Sequence, residues 1–596
     1  MKKQIIIGRE LSANETEQVR SEESVEIFCL DRYQLLFEAK LISLSAEEKK
    51  EINYSVLDEI KNLGDKNIEG KTLASRLCIE KSSIWHYHKF RTYFFVRNLN
   101  YELAKLKKIP FHENEATTFY CSSEFRFLQD EFPQTEFIYP AKKKEKLNLC
   151  LSLKYLLFLK LRIISSWFVR AAKSDVLIYY PERYNPLIDL EILQPKEGNF
   201  LLDYLFTQEK SPFNLLCEVP VPKLKSKTGF PFHRGYFKGH ESVHPKKNME
   251  AVLARLGLPA YFEAKKAGKE LKNRYSELLA APLSVNEKLA IRFVQSLHSS
   301  SIYYLTRYFA AKRFFGKNKF TVLMGTDENS PLAKSVLDAA KFHGIKTVGM
   351  QHGTMHDLHP AYLYTPEDVK NRVIPDYTLV WGTYWEQFLV EKGNYPAESV
   401  VSVGHLRTDI IPKLLSRQQA NNSAFRLIFA SQPQRDPALR RQAAFDVLSA
   451  ASLFPEIELI VKLHPREYDD VLYYRAIAQE ADCSAYRIDR ETDLYALIAS
   501  CDALITCFST VGAETVYFGK PLIILDHLKQ DIQGYYQQGV AFRATDVAEL
   551  SEIISRLKNG ELNADRKAGA SFIEKYSYQI DGKVANRVAE FLRSLS

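Results

Sequence analysis

The sequence predicts an α/β protein with two doubly wound parallel-sheet domains and an additional N-terminal α/β region. From residue 320 onward, short apolar strands alternate with helices, which is the pattern of βαβ units and a parallel sheet. The polar stretch 414–424, LLSRQQANNSA, separates two such series in the manner of a linker. At 596 residues the chain is also too long for a single hydrophobic core.

We therefore divide the chain into four parts. Residues 1–140 are predicted to form the N-terminal α/β region, and 141–173 a basic, apolar linker or membrane-surface helix. Residues 174–413 and 414–596 are predicted to be the first and second Rossmann-like domains. No repeat of solenoid period interrupts this division.

The N-terminal region carries strand and helix patterns but little chemistry. We predict helices over 46–63 and 71–107, the second with the aromatic-rich part IWHYHKFRTYFF. His86 and His88 would face opposite sides of that helix, so they are not expected to share a metal ion. We expect them to be packing and surface residues.

Bulk composition excludes several protein classes. The eight cysteines form no CxxC pair and no paired spacing, which argues against a zinc ribbon or a disulfide scaffold and for a reducing cytosol. The N-terminus, MKKQIIIGRELSANE, has too short an apolar run for a signal peptide. The net charge of +8 is local rather than general, and no recognition module accompanies it. A nucleic-acid partner is therefore not expected.

The basic residues concentrate in 142–173, which has nine Lys or Arg and one acidic residue, Glu145. Its centre, LNLCLSLKYLLFLKLRIISSWFV, is apolar but is interrupted by charged residues, so it is not predicted to be a membrane-spanning helix. Such a helix can lie on the surface of an anionic membrane. A buried linker helix with a charged rim is the alternative, and the sequence leaves both open.

Polar residues follow several predicted strands at the point where each strand ends. Because parallel strands collect their carboxyl ends at one sheet edge, these residues should surround a common cleft. That convergence, more than any single motif, predicts an active site. The residues are Asp327 and Glu328, Gln351 and His352, His464 and Arg466, and Ser509, Thr510 and Glu514.

The stretch 501–526, CDALITCFSTVGAETVYFGKPLIILD, predicts strand, loop, short helix and strand. Backbone amides at the start of such a helix can face an anion. Ser509, Thr510 and Gly512 would supply hydroxyls and close backbone approach, and Glu514 could accept hydrogen bonds from a ribose. An ordinary buried βαβ unit is the alternative.

Together with KLHPRE at 462–467, this stretch resembles bacterial surface-polysaccharide transferases of the GT-B type. The groups are polysialyl- and Kdo-transferases and the teichoic-acid CDP-glycerol glycerophosphotransferases. The resemblance covers about residues 320–530. It implies a donor-nucleotide site in the second domain and an acceptor side in the first. The donor residues it indicates are Lys462, His464, Arg466, Ser509, Thr510, Gly512 and Glu514.

The residues that would act on the acceptor lie after two strands of the first domain. Gln351-His352-Gly353 resembles the histidine-glycine element of the glycerophosphotransferases, and His352 has a suitable pKa for a general base. Asp327 and Glu328 resemble the acidic pair of the polysialyltransferases, although Asn329 stands where that family has Gly. Both candidates for the base stay open. Gln351 and Gly353 would orient or admit the acceptor.

The implied reaction moves a sugar or a polyol phosphate from a nucleotide-activated donor to a glycan or glycolipid of the cell surface, in capsule or lipopolysaccharide synthesis. Without a DxD-like pair in the sequence we expect no metal and no cofactor beyond the nucleotide sugar, with CMP or CDP favoured over UDP. We expect a cytoplasmic protein, peripheral on the plasma membrane. Alternatives are a nucleotide-sugar 2-epimerase, against which the 300 additional N-terminal residues argue, and a non-catalytic subunit of a polysaccharide assembly complex.

Overall fold

Three parallel sheets follow one another along the chain in the computed structural model. The structure describes residues 3–22, 25–30, 39–110, 116–129, 132, 134–140, 149–219, 243–417, 424–434 and 436–596. The two larger sheets carry helices on both faces, which confirms the predicted α/β fold class.

The N-terminal sheet has the strand order β3-β2-β1-β8-β9, and all its pairs are parallel. The predicted helix over 71–107 is too long, because two short hairpins occupy its first part. His86 and His88 are both buried, so neither is a surface residue. The elements are β1 (Lys3–Ile7), α1 (Ala13–Ser21), β2 (Val25–Leu30), β3 (Lys40–Ile42), α2 (Ala46–Leu63), β4 (Asn67–Ile68), β5 (Lys71–Thr72), α3 (Leu73–Arg76), β6 (Cys78–Ile79), β7 (Ser82–Ser83), α4 (Ile84–Leu106), β8 (Ala116–Tyr120) and β9 (Thr135–Ile138).

The middle sheet has the order β14-β13-β10-β15-β16-β17-β18, again parallel throughout. The order runs outward from β10 on both sides, as in a doubly wound fold. Its elements are α5 (Leu149–Trp167), β10 (Val176–Pro181), β11 (Tyr184–Ile188), β12 (Pro195–Asn199), α6 (Asp203–Gln208), β13 (Asn214–Glu218), β14 (Lys246–Asn248), α7 (Met249–Ala280), α8 (Val285–Ser296), α9 (His298–Phe315), β15 (Val322–Thr326), α10 (Pro331–Phe342), β16 (Lys346–Met350), α11 (Pro366–Lys370), β17 (Tyr377–Val380), α12 (Thr383–Glu391), β18 (Val400–Ser402) and α13 (Ile411–Arg417).

The third sheet has the order β21-β20-β19-β22-β23-β24 and is parallel as well. Part of the predicted linker, 418–423, lies outside the described residues. The elements are β19 (Arg426–Ala430), α14 (Pro437–Ser452), β20 (Glu458–Lys462), α15 (Val471–Glu480), β21 (Tyr486–Asp489), α16 (Leu494–Ser500), β22 (Ala503–Thr506), α17 (Val511–Tyr517), β23 (Leu522–Leu525), β24 (Phe542–Ala544), α18 (Val547–Lys558), α19 (Arg566–Ser577) and α20 (Val584–Ser594).

The last two helices join the second and third sheets. Helix α19 packs against both α12 and α17. Helix α20 returns to the middle sheet, where its apolar side contributes Val584, Val588 and Leu592 to that sheet's core. Asp409 fixes its start, because the carboxylate accepts from the N–H groups of Val584 and Ala585 at 2.8 and 2.9 Å. The chain end therefore holds the edges of the two sheets in a fixed relation.

Helix α5 lies beside edge strand β14 and α7. Its inner side is buried through Phe158, Arg162 and Ser166. Its outer side exposes large apolar side chains, namely Leu153, Leu156, Leu157, Leu161, Ile164 and Trp167. None of the helices in the described part of the chain has the length and apolarity needed to cross a bilayer. Most of the segment 219–248, which is rich in Pro, Gly, Lys and His, lies outside the described residues, since 220–242 are not described.

Candidate active site

A cleft of about 580 Å³ lies between the middle and third sheets. One wall comes from the carboxyl ends of the middle strands, and the other comes from the loop and helix after β22. Helix α19 closes one end with Phe572 and Tyr576. The predicted edge of strand ends is thus a real boundary of an interdomain cleft.

The first wall is built by residues that directly follow neighbouring strands. His352 comes two positions after β16, Trp381 immediately after β17, and His405 three positions after β18. Such strand ends are rigidly positioned by the sheet, so their side chains point into the same space. Trp381 and His405 stack with ring centroids 4.3 Å apart.

Asp327 follows β15 and adopts a left-handed conformation with φ of 56°. Its Oδ1 lies 3.5 Å from Nε2 of His352, and its Oδ2 lies 3.7 Å from the guanidinium of Arg183. Burial raises the pKa of Asp327, while His352 and Arg183 oppose that rise. Burial lowers the pKa of His352, while Asp327 opposes that fall. The two rival candidates for the base are therefore partners in one arrangement.

Glu328 does not share the ion pairs of its neighbour. Like Asp327 it is absent from the lining of the cleft, but it is only 2% exposed and its Oε2 has no hydrogen-bond partner. Burial raises its pKa to about 8. A carboxyl group with that pKa is mostly protonated at neutral pH, so Glu328 is poorly suited to remove a proton from an acceptor.

Gln351 and Gly353 have distinct places. The Gln351 side chain accepts from the Trp381 N–H at 2.9 Å and donates to the Gly353 carbonyl at 3.0 Å. Gln351 thereby couples the loops after β16 and β17, and its own side chain is buried. A Cβ atom at Gly353 would meet nothing within 4 Å, so the backbone there faces open space.

The second wall carries the predicted donor loop. Thr510 and Glu514 line the cleft, and the Thr510 side chain makes no capping hydrogen bond to α17. Ser509 serves the loop itself, since its Oγ accepts from the Val511 N–H and its carbonyl accepts from the Tyr535 hydroxyl at 3.0 Å. Gly512 is buried against Tyr535 and does not face the cleft.

Lys462 ends β20, His464 and Arg466 follow it, and none of the three lines the cleft. Lys462 forms an ion pair with Asp489 at 3.1 Å and donates to the Thr492 carbonyl. His464 caps its own turn, because its Nδ1 accepts from the Arg466 N–H at 3.1 Å. Their predicted role in donor binding stays a prediction. Among the described residues, no three His, Cys, Asp or Glu side chains are grouped to hold a metal ion.

Two residues of the segment GHLRTD at 404–409, His405 and Arg407, were not predicted as site residues. Burial lowers the pKa of His405 to about 3, so this imidazole is neutral. The Arg407 guanidinium pairs with Asp493 at 3.3 Å and lies 4.3 Å from the centre of the Tyr495 ring. It also opposes the rise in the pKa of Glu514 that burial causes. Their position after β18 was the available signal, since it matches that of His352 after β16.

The family of CDP-glycerol:poly(glycerophosphate) glycerophosphotransferases has a sequence model that matches residues 435–594. Residues 435–594 are therefore similar in sequence to this family. This match confirms the predicted resemblance and the prediction that the chain is a nucleotide-dependent transferase. No curated protein is significantly similar in sequence to the chain.

Solved structures with a similar arrangement include the UDP-GlcNAc 2-epimerase from Neisseria meningitidis, at TM-score 0.42 and 10% identity over 70% of this chain and 99% of that one. The wall teichoic acid polymerase TagF matches at TM-score 0.37 and 11% identity over 76% and 98%. The UDP-GlcNAc 2-epimerase from Methanocaldococcus jannaschii matches at TM-score 0.41 and 9% identity over 70% and 99%. Similarities this distant say nothing about the reaction.

Proposed function

We propose that the chain transfers a polyol phosphate, or a sugar, from a CDP- or CMP-activated donor to a hydroxyl group of a surface glycan or glycolipid. The observation that carries this proposal is the cleft itself, in which His352 with its partner Asp327 faces Thr510 and Glu514. A proton acceptor on one side and a candidate nucleotide site on the other are the parts that such a transfer needs.

We assign the proton acceptor to His352, with Asp327 as its partner. Burial lowers the pKa of His352, so the imidazole is neutral and able to take a proton near neutral pH. With Nε2–H directed to Asp327, the other nitrogen, Nδ1, is left to receive it. The hydroxyl of the buried Tyr362 lies 3.5 Å from Nδ1. This arrangement follows the logic of a base held in one tautomer by a carboxylate.

In the polyol-phosphate version, the acceptor oxygen attacks the β-phosphorus while its proton passes to His352. The bond from that phosphorus to the bridging oxygen breaks, and CMP leaves. In the sugar version, the attack is on the anomeric carbon. We assign no step to a metal ion. The cationic residues predicted from the sequence, Lys462, His464 and Arg466, would have to approach the leaving phosphate in order to stabilise its charge.

On the donor side, we propose that Glu514 accepts hydrogen bonds from the ribose and that Thr510 contacts a phosphate. Glu514 is held by Arg407 and lies beside Tyr495, on the inner side of α17. Because Arg407 comes from the first domain, the shape of the donor site depends on both domains. We propose a cytidine nucleotide as the donor because the family matched by residues 435–594 is described by CDP-glycerol. The preference for CMP or CDP over UDP stays a prediction.

Release of CMP from a CDP-polyol tests this proposal. The full chain is incubated with CDP-glycerol and a polyol-phosphate or glycan acceptor, and CMP is measured by chromatography. We expect release that requires acceptor and is lost in His352→Ala but kept in the matched variant His343→Ala, an exposed histidine outside the cleft. Epimer formation from a UDP-sugar without acceptor, and no CMP release, would contradict the proposal and favour the epimerase.

We further propose that α5 docks on an anionic membrane and thereby brings lipid-linked acceptors near the cleft. One side of this helix exposes six large apolar side chains while the opposite side is buried, and Lys154, Lys160, Arg170 and Lys173 are exposed along the segment. Leucine and tryptophan can enter the acyl boundary while basic side chains contact headgroups. A buried linker helix accounts for the inner side of α5 but not for the outer one.

Vesicle sedimentation tests this part. We expect the full chain to sediment with vesicles containing phosphatidylglycerol, and much less with phosphatidylcholine alone or at high salt. The double variant Leu157→Glu, Leu161→Glu should stay in the supernatant. Leu472→Glu, which changes a more exposed leucine on α15 (75% exposed), is the control and should sediment as the wild type does. Equal sedimentation of both variants would refute membrane docking through α5.

A further inference from the structure

A second cavity, of about 180 Å³, lies between the N-terminal region and the first α/β domain. Its walls come from the segment α3–α4 on one side and from α10 and the end of α11 on the other. It shares no lining residue with the interdomain cleft. Nothing in the transferase reaction uses it, yet its lining includes the buried polar residues Ser83, His86, Lys334, Asp338 and Asp368.

Three of these residues form a continuous hydrogen-bonded chain. The Oγ of Ser83 lies 2.8 Å from Nδ1 of His86, and Nε2 of the same imidazole lies 2.8 Å from Oδ1 of Asp368. Burial alone would raise the pKa of Asp368, but His86 and Lys89 together hold it well below its usual range. Burial lowers the pKa of His86. The chain is therefore hydroxyl, neutral imidazole and carboxylate, with the Ser83 proton donated to Nδ1 and the Nε2 proton donated to Asp368.

The position of Ser83 suits a nucleophile. It is the residue that precedes α4, but its side chain makes no capping hydrogen bond because it is directed to His86 instead. The first-turn amides of a helix have no acceptor within the helix. Ser83 directly precedes the first turn of α4, in which the Ile84 N–H already donates to the Leu77 carbonyl at 3.0 Å. The other first-turn amides carry the partial positive charge that a developing oxyanion needs.

A separate observation indicates that the cavity takes a polar ligand. Asp338 is 3% exposed and lines the cavity, and its Oδ2 has no hydrogen-bond partner. A buried carboxylate oxygen without a partner is unfavourable unless a ligand or water supplies a donor. A hydroxyl group of the bound molecule would satisfy it.

We propose that Ser83, His86 and Asp368 form a second, ester-cleaving site for short acyl esters of polar alcohols. The Ser83 oxygen attacks the acyl carbon while its proton passes to His86. The ester C–O bond then breaks, and the alcohol oxygen takes that proton. Water next attacks the acyl-serine, gives a proton to His86, and the bond to Ser83 breaks as the serine recovers its proton. The net reaction converts one ester and one water into an acid and an alcohol.

The cavity decides the class of ester. Its volume of about 180 Å³ holds an acyl group of a few carbons but no fatty acyl chain. Lys81 and Arg372 stand at its exposed border, and Asp65 and Asp338 line it as well. A lining of this kind favours an alcohol that carries hydroxyl or charged groups over an apolar one.

Labelling with diisopropyl fluorophosphate tests this proposal, because the reagent phosphorylates activated serines. The full chain is treated, digested and mapped by mass spectrometry, and turnover of 4-nitrophenyl acetate is followed in parallel. Ser83→Ala removes one oxygen and no helix cap, so the fold should be kept, which thermal unfolding checks. Ser75→Ala is the matched control, since Ser75 lines the same cavity but donates to the Thr72 carbonyl at 2.8 Å.

We expect one label, on Ser83, that is absent in Ser83→Ala and in His86→Asn. Turnover of 4-nitrophenyl acetate should fall at least about 100-fold in both variants and stay at the wild-type level in Ser75→Ala. A wild-type chain in which Ser83 is unlabelled and turnover is unaffected by Ser83→Ala would overturn the proposal. The hydrogen-bonded chain would then be only a tie between α4 and α11, visible as a lower melting temperature of both variants.

Discussion

His352 and Asp327 follow adjacent strands of the middle sheet, and their side chains meet with Nε2 and Oδ1 3.5 Å apart. The Asp327 backbone reaches this position in a left-handed conformation, which is uncommon for a residue with a side chain. The pairing places a carboxylate beside an imidazole that lines the cleft.

The pair predicts a specific pH dependence of transfer. Since burial lowers the pKa of His352, the rate should fall on the acid side only below the ordinary histidine value, near pH 6.5. In Asp327→Asn the imidazolium loses a stabilising negative charge. The acid limb should therefore move to still lower pH, and the maximal rate should drop about 10–100-fold. The measurement is the rate of CMP release from pH 4.5 to 8 for both proteins. An acid limb at the same pH in the wild type and in Asp327→Asn would contradict the pairing.

Glu328 predicts a pH dependence of stability instead. Its pKa in the folded chain is raised to about 8, so the folded state keeps a proton that the unfolded state loses near pH 4.5. Stability should thus decrease between these values, by about 1.4 kcal/mol for each pH unit over which the proton is held. Urea unfolding of Glu328→Gln at pH 5 and pH 8 should show a smaller decrease than the wild type.

The same variant separates the two acidic neighbours. Because Asp327 pairs with His352 while Glu328 is buried outside the cleft, Glu328→Gln should keep most of its CMP release at pH 7, in contrast to Asp327→Asn. A Glu328→Gln chain that is folded but inactive would show that this carboxyl group acts in the reaction after all.

Alanine substitutions at two glycines of the candidate site should differ in their effect on stability. At Gly512 a Cβ atom would lie 2.5 Å from Cε2 of Tyr535, so the ring would have to move and release the Ser509 carbonyl. Gly512→Ala should lower stability by about 1–3 kcal/mol. Gly353→Ala meets open space and should change stability by less than about 0.5 kcal/mol, while it lowers transfer if the acceptor approaches this backbone. Differential scanning calorimetry and CMP release measure the two effects.

Asp409 should be important for the joint between the domains. Its carboxylate accepts from two backbone N–H groups at the start of α20 and from Gln208 at 2.8 Å. Asp409→Ala leaves those buried donors without an acceptor, which costs about 1–3 kcal/mol for each. We expect limited proteolysis to release α20 from this variant before any other helix is cut. Glu590→Ala, at an exposed position of α20 itself, should not have this effect.

The sequence was informative where the pattern is local. Apolar runs bounded by Gly, Pro and polar residues predict a strand over 503–506, where the structure has Ala503–Thr506. They also predict one over 320–324, and the structure has it two residues later, at Val322–Thr326. The convergence of Asp327, His352, Thr510 and Glu514 followed from one rule about strand ends. Local patterns failed at 71–107, because short hairpins have no period that distinguishes them from a helix.

The features of the site that the sequence did not predict depend on contacts between residues far apart along the chain. From the sequence alone, Lys462 resembles a free phosphate ligand. In the structure it is paired with Asp489, which β21 places beside it. Gly512 resembles a ligand-facing glycine until Tyr535 packs against it. Arg407 gains its meaning from Asp493 and Tyr495 in the other domain. None of these pairings has a signature in sequence spacing, so only the fold reveals them.

The central claim is that the cleft binds a cytidine nucleotide through Glu514. Isothermal titration of CDP and UDP into the full chain, into Glu514→Gln and into Glu552→Gln, an exposed glutamate of α18, tests it most directly. We predict that CDP binds the wild type and Glu552→Gln equally, binds Glu514→Gln about 10–100-fold more weakly, and is preferred over UDP. Binding that is unchanged in Glu514→Gln, or the absence of any binding to the folded wild type, would contradict the account.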